Sequence, residues 1–275
     1  MVHNSVEFIG EVVDMQVVIL CGGLGTRLRE ETEFRPKPMV PIGNRPILWH
    51  IMKYYASFGF KEFVLALGYK GESIKEYFLH YELMNSDITV SLGQPSRYEI
   101  HNGHPEDDWT ISLIHTGESA LKGARLKRLE RYIKGDRFMV TYGDGLADLD
   151  LAAQQRFHQQ HGRLATVTGV NLASRFGRLK TAEDGRVSRF FEKPHGAVEE
   201  PINGGFFIFE RGIFDYLSDD DRCDLERGAL ERVTEAGELV AYPHPGFWAC
   251  MDTLRDQEYL NQLWQQDEAP WKRWS

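Results

Sequence analysis

The chain has little cysteine, no excess of basic residues and no long apolar run. Its three cysteines, Cys21, Cys223 and Cys250, have no Cys-x-x-Cys spacing, so neither a zinc site nor a disulfide framework is expected. No stretch approaches the roughly 18 apolar residues of a membrane span. Residues 1–14 lack the basic start and apolar core of a secretion signal. We therefore expect a cytoplasmic protein with no membrane partner.

The charge balance excludes another class of partner. The sequence has 32 lysines and arginines against 41 aspartates and glutamates, a net charge of −9. A protein with this balance is not expected to bind nucleic acid. An anionic ligand would need a local cluster of positive charge.

Several well-known catalytic motifs are also absent. The glycines near the N-terminus fit neither Gly-x-x-x-x-Gly-Lys-[Ser/Thr] nor Gly-x-Gly-x-x-Gly, and no Gly-x-Ser-x-Gly elbow occurs. The ten histidines form no ligand set, because His158 and His161 fit a solvated helix end better. Acyl transfer and histidine-based metal chemistry are therefore not expected.

Alternating apolar runs and amphipathic segments indicate the fold. The predicted strands are 16–21, 63–67, 138–141 and 165–170, and the predicted helices are 46–58, 72–81, 125–133 and 149–161. This order predicts a Rossmann-like α/β fold, with a mainly parallel mixed sheet covered by helices. After residue 170, short β segments at 186–191 and 205–209, with turns at 184–185 and 203–204, predict a smaller β-rich lobe folded onto the same sheet.

The predicted organisation is a short N-terminal extension, 1–14, and a single domain, 15–275. Residues 15–170 form its first part, and 171–275 form its second part with a C-terminal helix. Residues 93–108 are polar and aperiodic, which predicts a loop or short hairpin, with a subunit contact as a further hypothesis.

A glycine loop directly after the first strand is the strongest functional signal. Gly22, Gly23 and Gly25 permit backbone angles that bring N–H groups close to an anion, and Arg27 and Lys37 supply positive charge. This combination predicts nucleotide phosphate binding. A tight turn without a ligand remains the alternative.

Two aspartates follow predicted strands and are candidates for a metal site. Asp144 lies at the carboxyl end of a predicted parallel strand, where open α/β sheets bind ligands, and Asp252 follows the short apolar segment 248–251. Carboxylates suit Mg²⁺, which typically uses one or two of them. The alternatives are a turn aspartate at 144 and a helix cap at Asp252 or Thr253.

Two later motifs are weaker signals for a sugar phosphate. Lys193, in Glu192-Lys193-Pro194, suits a second phosphate, although an exposed, solvated lysine is the favoured interpretation of an isolated Glu-Lys-Pro. Asn203 and the glycines after it would allow a sugar close to the backbone, or would form a hairpin turn.

Taken in order, these motifs resemble those of the sugar-1-phosphate nucleotidylyltransferases. The matching segments are 22–28, 35–39, 142–145, 191–194, 203–205 and 251–253. Segments 46–53, 125–128, 244–248 and 269–272 are further similar to the members that use CTP and glucose 1-phosphate. The resemblance extends from about Met15 to Trp274.

The resemblance implies a fold of the nucleotide-diphospho-sugar transferase type, an Mg²⁺ cofactor, and CTP and a sugar 1-phosphate as substrates. It implies that 15–170 is the nucleotide-binding part and 171–275 the sugar-phosphate-binding part. It implies catalytic roles for Arg27, Lys37 and Asp144, and Mg²⁺ binding by Asp144 and Asp252. The implied nucleotide-binding residues are Leu20, Gly22, Gly23, Gly25, Thr26, Arg27, Lys37, Arg125 and Gly143. Those implied for the sugar phosphate are Glu192, Lys193, Asn203 and Gly204. A homo-oligomer, specifically a hexamer, is also implied.

Three departures from the family pattern leave alternatives open. Arg35 replaces a lysine, Ala124 replaces a glycine, and Arg178 stands where a small residue is common. Arg178 would suit a modified sugar that carries a phosphate or carboxylate, or it is a solvated hairpin residue. The sequence also leaves open UTP or dTTP as the nucleotide, and a catalytically silent homologue that binds nucleotide or sugar phosphate as a regulatory subunit.

Overall fold

The computed structural model describes residues 15–93, 97–171, 178–182, 186–191 and 200–274. The predicted extension 1–14, the turn at 184–185 and the candidate residues Glu192 and Lys193 lie outside these ranges.

Strands and helices alternate through most of the described chain. The strands are β1 (Val17–Cys21), β2 (Pro41–Ile42), β3 (Arg45–Pro46), β4 (Glu62–Leu67), β5 (Ile88–Ser91), β6 (Arg97–Ile100), β7 (Thr110–His115), β8 (Arg137–Tyr142), β9 (Gly145–Ala147), β10 (Ala165–Val170), β11 (Arg178–Thr181), β12 (Val187–Phe191), β13 (Ile202–Asn203), β14 (Phe207–Glu210), β15 (Leu239–His244) and β16 (Trp248–Cys250). The α-helices are α1 (Arg29–Thr32), α2 (Ile47–Ala56), α3 (Gly71–Leu79), α4 (Tyr81–Asn85), α5 (Lys122–Arg128), α6 (Leu151–His161), α7 (Ala229–Glu235) and α8 (Leu254–Gln265). Single turns of 3₁₀ helix cover Thr26–Leu28, Lys37–Met39 and Glu130–Tyr132, and a longer one covers Arg211–Tyr216.

The central sheet is mixed and mostly parallel. Strands β7, β4, β1 and β8 lie side by side in parallel, and β14 pairs antiparallel with β8. Beyond β14 lies β10, which is flanked by the parallel strand β15 and the short antiparallel strand β13. The late β segments therefore complete the same sheet, while β11 and β12 form a separate antiparallel pair.

Alternation of side chains along the strands places apolar residues on both faces of the sheet. Val17 and Ile19 of β1 pack with helices α2 and α8, whereas Val18 and Leu20 pack with α5 and α7. All five residues of β1 are buried. The carboxyl end of β1, where the glycine loop begins, is thus fixed between two packed layers.

Most of the predicted elements are confirmed, but strand β15 and helix α7, among others, were not predicted. The helix predicted at 125–133 is instead α5, which begins at Lys122, followed by a 3₁₀ turn. Edge strand β7 was not predicted, because its half-exposed residues lack a long apolar run. In the polar segment 93–108, the prediction of a loop or short hairpin is confirmed, because β6 pairs with β5 as a hairpin. Within the described residues, no helix has the length and apolar character needed to cross a membrane.

Two buried histidines make the stability of this fold dependent on pH. Neutral His50 donates from Nε2 to the carbonyl oxygen of Ile42 at 2.9 Å, and its Nδ1 accepts from Trp271 Nε1 at 3.4 Å. Burial lowers the pKa of His50 to about 4, and burial followed by the charge of Arg137 lowers the pKa of His158 to about 4. The ordinary pKa is 6.5. Between these values the unfolded chain binds protons that the folded chain does not, so stability falls as pH falls.

We therefore expect the free energy of unfolding to decrease between pH 6.5 and pH 5 by roughly 1 to 2 kcal/mol for each histidine. Urea unfolding at several pH values measures this decrease. His50→Gln preserves one donor and one acceptor and should weaken the pH dependence, whereas the same change at exposed His80 should not. An equal pH dependence in wild type and His50→Gln would contradict the assignment.

Candidate active site

A cleft of about 440 Å³ opens at the carboxyl ends of β1 and β8. It brings together most of the predicted site residues: Leu20, Gly22, Gly23, Gly25, Thr26, Arg27, Lys37, Gly143, Asp144, Asn203 and Asp252. Residues that were not predicted complete the lining: Pro38, Lys122, Tyr142, Glu226, Trp248 and Cys250. The lining residues are far apart in the sequence. Leu20 and Asp252, which both line the cleft, are separated by 232 positions.

The glycine loop has the backbone conformation that its sequence predicts. Gly23 and Gly25 have positive φ angles of 135° and 60°, which favour glycine. The carbonyl oxygen of Gly25 accepts from Thr32 Oγ1 at 3.0 Å and from the Leu28 amide at 2.9 Å. The loop is thus both a tight turn and part of the cleft lining.

Arg125 lies beneath this loop and is absent from the cleft lining. Its side chain is buried, and its guanidinium donates to Thr116 Oγ1 at 3.1 Å and to the Glu118 carbonyl oxygen at 3.0 Å. A Cβ placed on Gly22 would lie 2.1 Å from Arg125 Cζ. The structure therefore places Arg125 against the backbone of the loop, and direct contact with the nucleotide stays a prediction.

Gly22→Ala tests this packing. Because the added methyl group overlaps the guanidinium, either the loop or Arg125 must move, and we expect the KM for the nucleoside triphosphate that this loop is predicted to bind to rise roughly tenfold, as for loss of a charged hydrogen bond. Steady-state kinetics with the nucleotide varied measure the change. Gly145→Ala is the matched control, since a Cβ there meets no atom within 4 Å. Unchanged kinetics in Gly22→Ala would show that the close packing has no functional consequence.

The short pair of strands β9 and β16 brings Asp144 and Asp252 together. Gly145, just after Asp144, pairs with Cys250, and the Met251 amide donates to the Asp144 carbonyl oxygen at 2.9 Å. The cap of α8 is Thr253, whose hydroxyl accepts from the Asp256 amide. Asp252 therefore presents its carboxylate to the cleft instead of capping the helix.

Lys37 bridges the two carboxylates. Its Nζ lies 2.5 Å from Asp144 Oδ2 and 2.5 Å from Asp252 Oδ1, and Arg27 pairs with the other oxygen of Asp252 at 2.7 Å. Burial opposes the charge on Lys37, but the two carboxylates outweigh burial and raise its pKa. Both carboxylates thus converge on one cation position.

The donor set at this position fits Mg²⁺. One atom each from Asp144, Asp252 and Cys250 lie within 4.8 Å of one another. Burial, followed by the charge of Asp144, raises the pKa of the Cys250 thiol, so the thiolate that zinc prefers is disfavoured. The two carboxylates are hard oxygen ligands of the kind that Mg²⁺ uses.

A second group of cleft residues surrounds Asn203. Its Nδ2 donates to Tyr142 Oη at 3.1 Å, and Tyr142 in turn donates to Glu226 Oε1 at 2.6 Å. Trp248 Nε1 donates to the Gly204 carbonyl oxygen at 2.7 Å. Gly204 itself lies behind the cleft lining, where a Cβ would lie 2.6 Å from Val170 Cγ1.

The cleft residues that were not predicted fall into two groups, those inside a recognised motif and those outside any motif. Tyr142 precedes Gly143 in a motif that was recognised, and Trp248 lies within another. Glu226 lies in an irregular segment before α7, far from any motif, and Lys122 begins a helix that was predicted to start later. No pattern within the single sequence points to these last two residues.

Comparison with known proteins agrees with this geometry. Residues 16–253 match the family described as nucleotidyl transferase. The chain is 49% identical over 261 residues to the glucose-1-phosphate cytidylyltransferase of Salmonella typhi, covering 94% of this chain and 100% of that protein. It is 44% identical over 262 residues to the probable glucose-1-phosphate cytidylyltransferase of Bacillus subtilis, again covering 94% of this chain and 100% of the relative.

Solved structures share the fold at lower identity. HddC from Yersinia pseudotuberculosis superposes with a TM-score of 0.65 at 24% identity, covering 91% of this chain and 99% of that one. A UDP-glucose pyrophosphorylase in complex with UDP-glucose gives a TM-score of 0.66 at 15% identity, with 92% and 99% coverage. The family match over most of the chain, together with the relatives of matching length, shows that this chain belongs to the nucleotidyl transferase family.

Proposed function

We propose that the protein condenses CTP with α-D-glucose 1-phosphate to give CDP-glucose and pyrophosphate. The observation that carries this proposal is the 49% identity, over nearly the whole chain, to a relative named for that reaction. The cleft supports it independently, because the glycine loop, the basic residues Arg27 and Lys37 and the carboxylates of Asp144 and Asp252 meet there.

In this reaction a phosphate oxygen of the sugar 1-phosphate attacks the α-phosphorus of CTP, and pyrophosphate leaves from the opposite side. A phosphate monoester with a second pKa of about 6 is already ionised at neutral pH, so the protein needs no general base. Catalysis then depends on positioning and on neutralising charge. Arg27 and Lys37 provide positive charge for the departing pyrophosphate.

The other proposed roles follow the arrangement of the cleft. The glycine loop, with Leu20, Thr26 and Gly143, would hold the nucleotide, and Asn203 would face the sugar phosphate. Gly204, which lies behind the lining, would support this side of the cleft through its hydrogen bond with Trp248. Glu192 and Lys193 are proposed for the same side by resemblance to the family. Mg²⁺ held by Asp144 and Asp252 would screen the repulsion between the two phosphates and polarise the α-phosphate.

Pyrophosphate release with glucose 1-phosphate and CTP, UTP, dTTP or ATP tests the proposal. A strong preference for CTP is expected. Preference for UTP or dTTP would reassign the base, and no release with any of the four would contradict the proposed pair of substrates. A silent regulatory homologue is the second candidate, but the convergence of Arg27, Lys37, Asp144 and Asp252 favours an enzyme.

A further inference from the structure

Lys122 is a third basic residue of the cleft, with a different set of contacts from the other two. Arg27 and Lys37 pair with the aspartates of the candidate metal site. Lys122 instead pairs with Glu226 Oε1, and its Nζ lies 5.2 Å from the centroid of the Tyr142 ring. The cleft therefore has a second centre of positive charge.

The contacts of Lys122 leave part of its ammonium group available to a ligand. An ammonium has three N–H donors. One direction is taken by Glu226 and another is covered by the Tyr142 ring, while 41% of the side chain remains exposed. A ligand in the cleft can therefore accept a hydrogen bond without breaking the ion pair.

Glu226 is held in the charged form that anchors Lys122. Burial opposes its charge, but the contact with Asp224 and the hydrogen bonds from Lys122 and Tyr142 outweigh burial and lower the pKa of Glu226. Lys122 and Tyr142 both contact the same oxygen, Glu226 Oε1. The Glu226 amide also donates to Asp224 Oδ1 at 3.2 Å, which fixes the backbone at this position.

Hydrogen bonds connect this ion pair to Asn203. Tyr142 donates to Glu226 at 2.6 Å and accepts from Asn203 at 3.1 Å, while Asn203 Oδ1 accepts from the Gly205 amide at 2.9 Å. Lys122 is therefore fixed in the same hydrogen-bond network as Asn203, which is proposed to bind the sugar phosphate. Arg27 and Lys37 instead pair with the two aspartates on the nucleotide side of the cleft.

The second substrate brings its own negative charge into the cleft. Of the three basic residues in the described lining, Lys122 is the one that pairs with neither aspartate of the candidate metal site. A sugar phosphate adds a charge of roughly −1.5 to −2 at neutral pH. A lysine ammonium is a compact point charge that commonly binds phosphate.

We infer that Lys122 binds the phosphate of the sugar 1-phosphate and that Glu226 is the residue that positions it. This inference rests on the proposed function, and it adds to that function a residue selecting for the phosphorylated sugar. Residues other than Lys122 would bind the glucose ring itself.

The test compares Lys122→Met with Lys134→Met, which removes an exposed lysine that pairs with Glu62 outside the cleft. In Lys122→Met, the KM for glucose 1-phosphate should rise roughly 10- to 100-fold, as for loss of a charged hydrogen bond. The KM for CTP should stay within about twofold in both variants. Lys122→Arg, which keeps the charge, should recover part of the loss.

Glu226→Gln separates positioning from direct binding. This variant should raise the KM for glucose 1-phosphate less than Lys122→Met does. The double variant should be no worse than Lys122→Met alone, because Glu226 acts through Lys122. Additive effects would contradict the positioning role.

Calorimetric titration without nucleotide keeps this inference separate from the proposed function. Glucose 1-phosphate and inorganic phosphate should each bind wild type more tightly than Lys122→Met, while unphosphorylated glucose should not distinguish them. Wild type that binds glucose 1-phosphate but makes no CDP-glucose would contradict the proposed function and leave the assignment of Lys122 supported. Equal binding of glucose 1-phosphate in the two proteins, or a raised KM for CTP alone, would overturn the inference.

Discussion

Asp144→Asn is expected to lower kcat at least ~100-fold, comparable to removal of one preorganised electrostatic group elsewhere. The substitution keeps the shape of the side chain but removes one of the two charges that converge on Lys37 Nζ. It would weaken the proposed Mg²⁺ site and also release Lys37 from one partner. Steady-state pyrophosphate release at saturating substrates measures the loss.

Asp150→Asn is the matched control for this variant. Asp150 caps α6 by accepting from the Ala153 amide at 2.9 Å, and asparagine caps helices as well as aspartate does. We expect nearly wild-type kcat in the control. Turnover by Asp144→Asn within about threefold of wild type would contradict the assigned role of Asp144.

Lys37→Met is expected to have opposite effects on turnover and on metal binding. Loss of the cation that neutralises the phosphates should lower kcat/KM roughly 10²- to 10³-fold. In the free protein, however, the same ammonium lies between the two carboxylates that Mg²⁺ is proposed to use. Without Lys37, the two carboxylates lose the cation that they share, while Arg27 still pairs with Asp252. Mn²⁺ binding should therefore tighten roughly tenfold or more.

Electron paramagnetic resonance of Mn²⁺, titrated in the absence of nucleotide, measures this affinity. Lys53→Met is the control, because Lys53 is similarly buried and pairs with Glu106 at 2.5 Å outside the cleft. The control should lose stability without changing Mn²⁺ affinity. If Lys37→Met binds Mn²⁺ no more tightly than wild type, then Lys37 and the metal do not compete for the two aspartates.

The central sheet was predictable because its strands carry a strong local signal. Strand β1 is a continuous apolar run that is buried on both faces, and helix α6 is bounded by an aspartate cap and a glycine at its end. Strand β7 lacked this signal because an edge strand exposes part of its side chains. Local sequence therefore determined the centre of the fold better than its edge.

The site was predictable only where its residues belong to motifs. Asp144 and Asp252 could each be placed at the end of a strand, but their convergence depends on the pairing of β9 with β16, more than 100 positions apart. The link from Asn203 through Tyr142 to Glu226 likewise depends on tertiary packing. The predicted hexamer and the roles of Glu192 and Lys193 stay predictions.

The most direct test of the proposed activity is the identity of the product made from CTP and glucose 1-phosphate. Phosphorus-31 NMR of the reaction with wild-type protein and Mg²⁺ should show the two coupled phosphorus signals of CDP-glucose and an equal amount of pyrophosphate. The Asp144→Asn variant should form almost no CDP-glucose or pyrophosphate in the same time. Unchanged CTP and glucose 1-phosphate in the wild-type reaction, with calorimetry showing that both bind, would contradict the proposed enzyme.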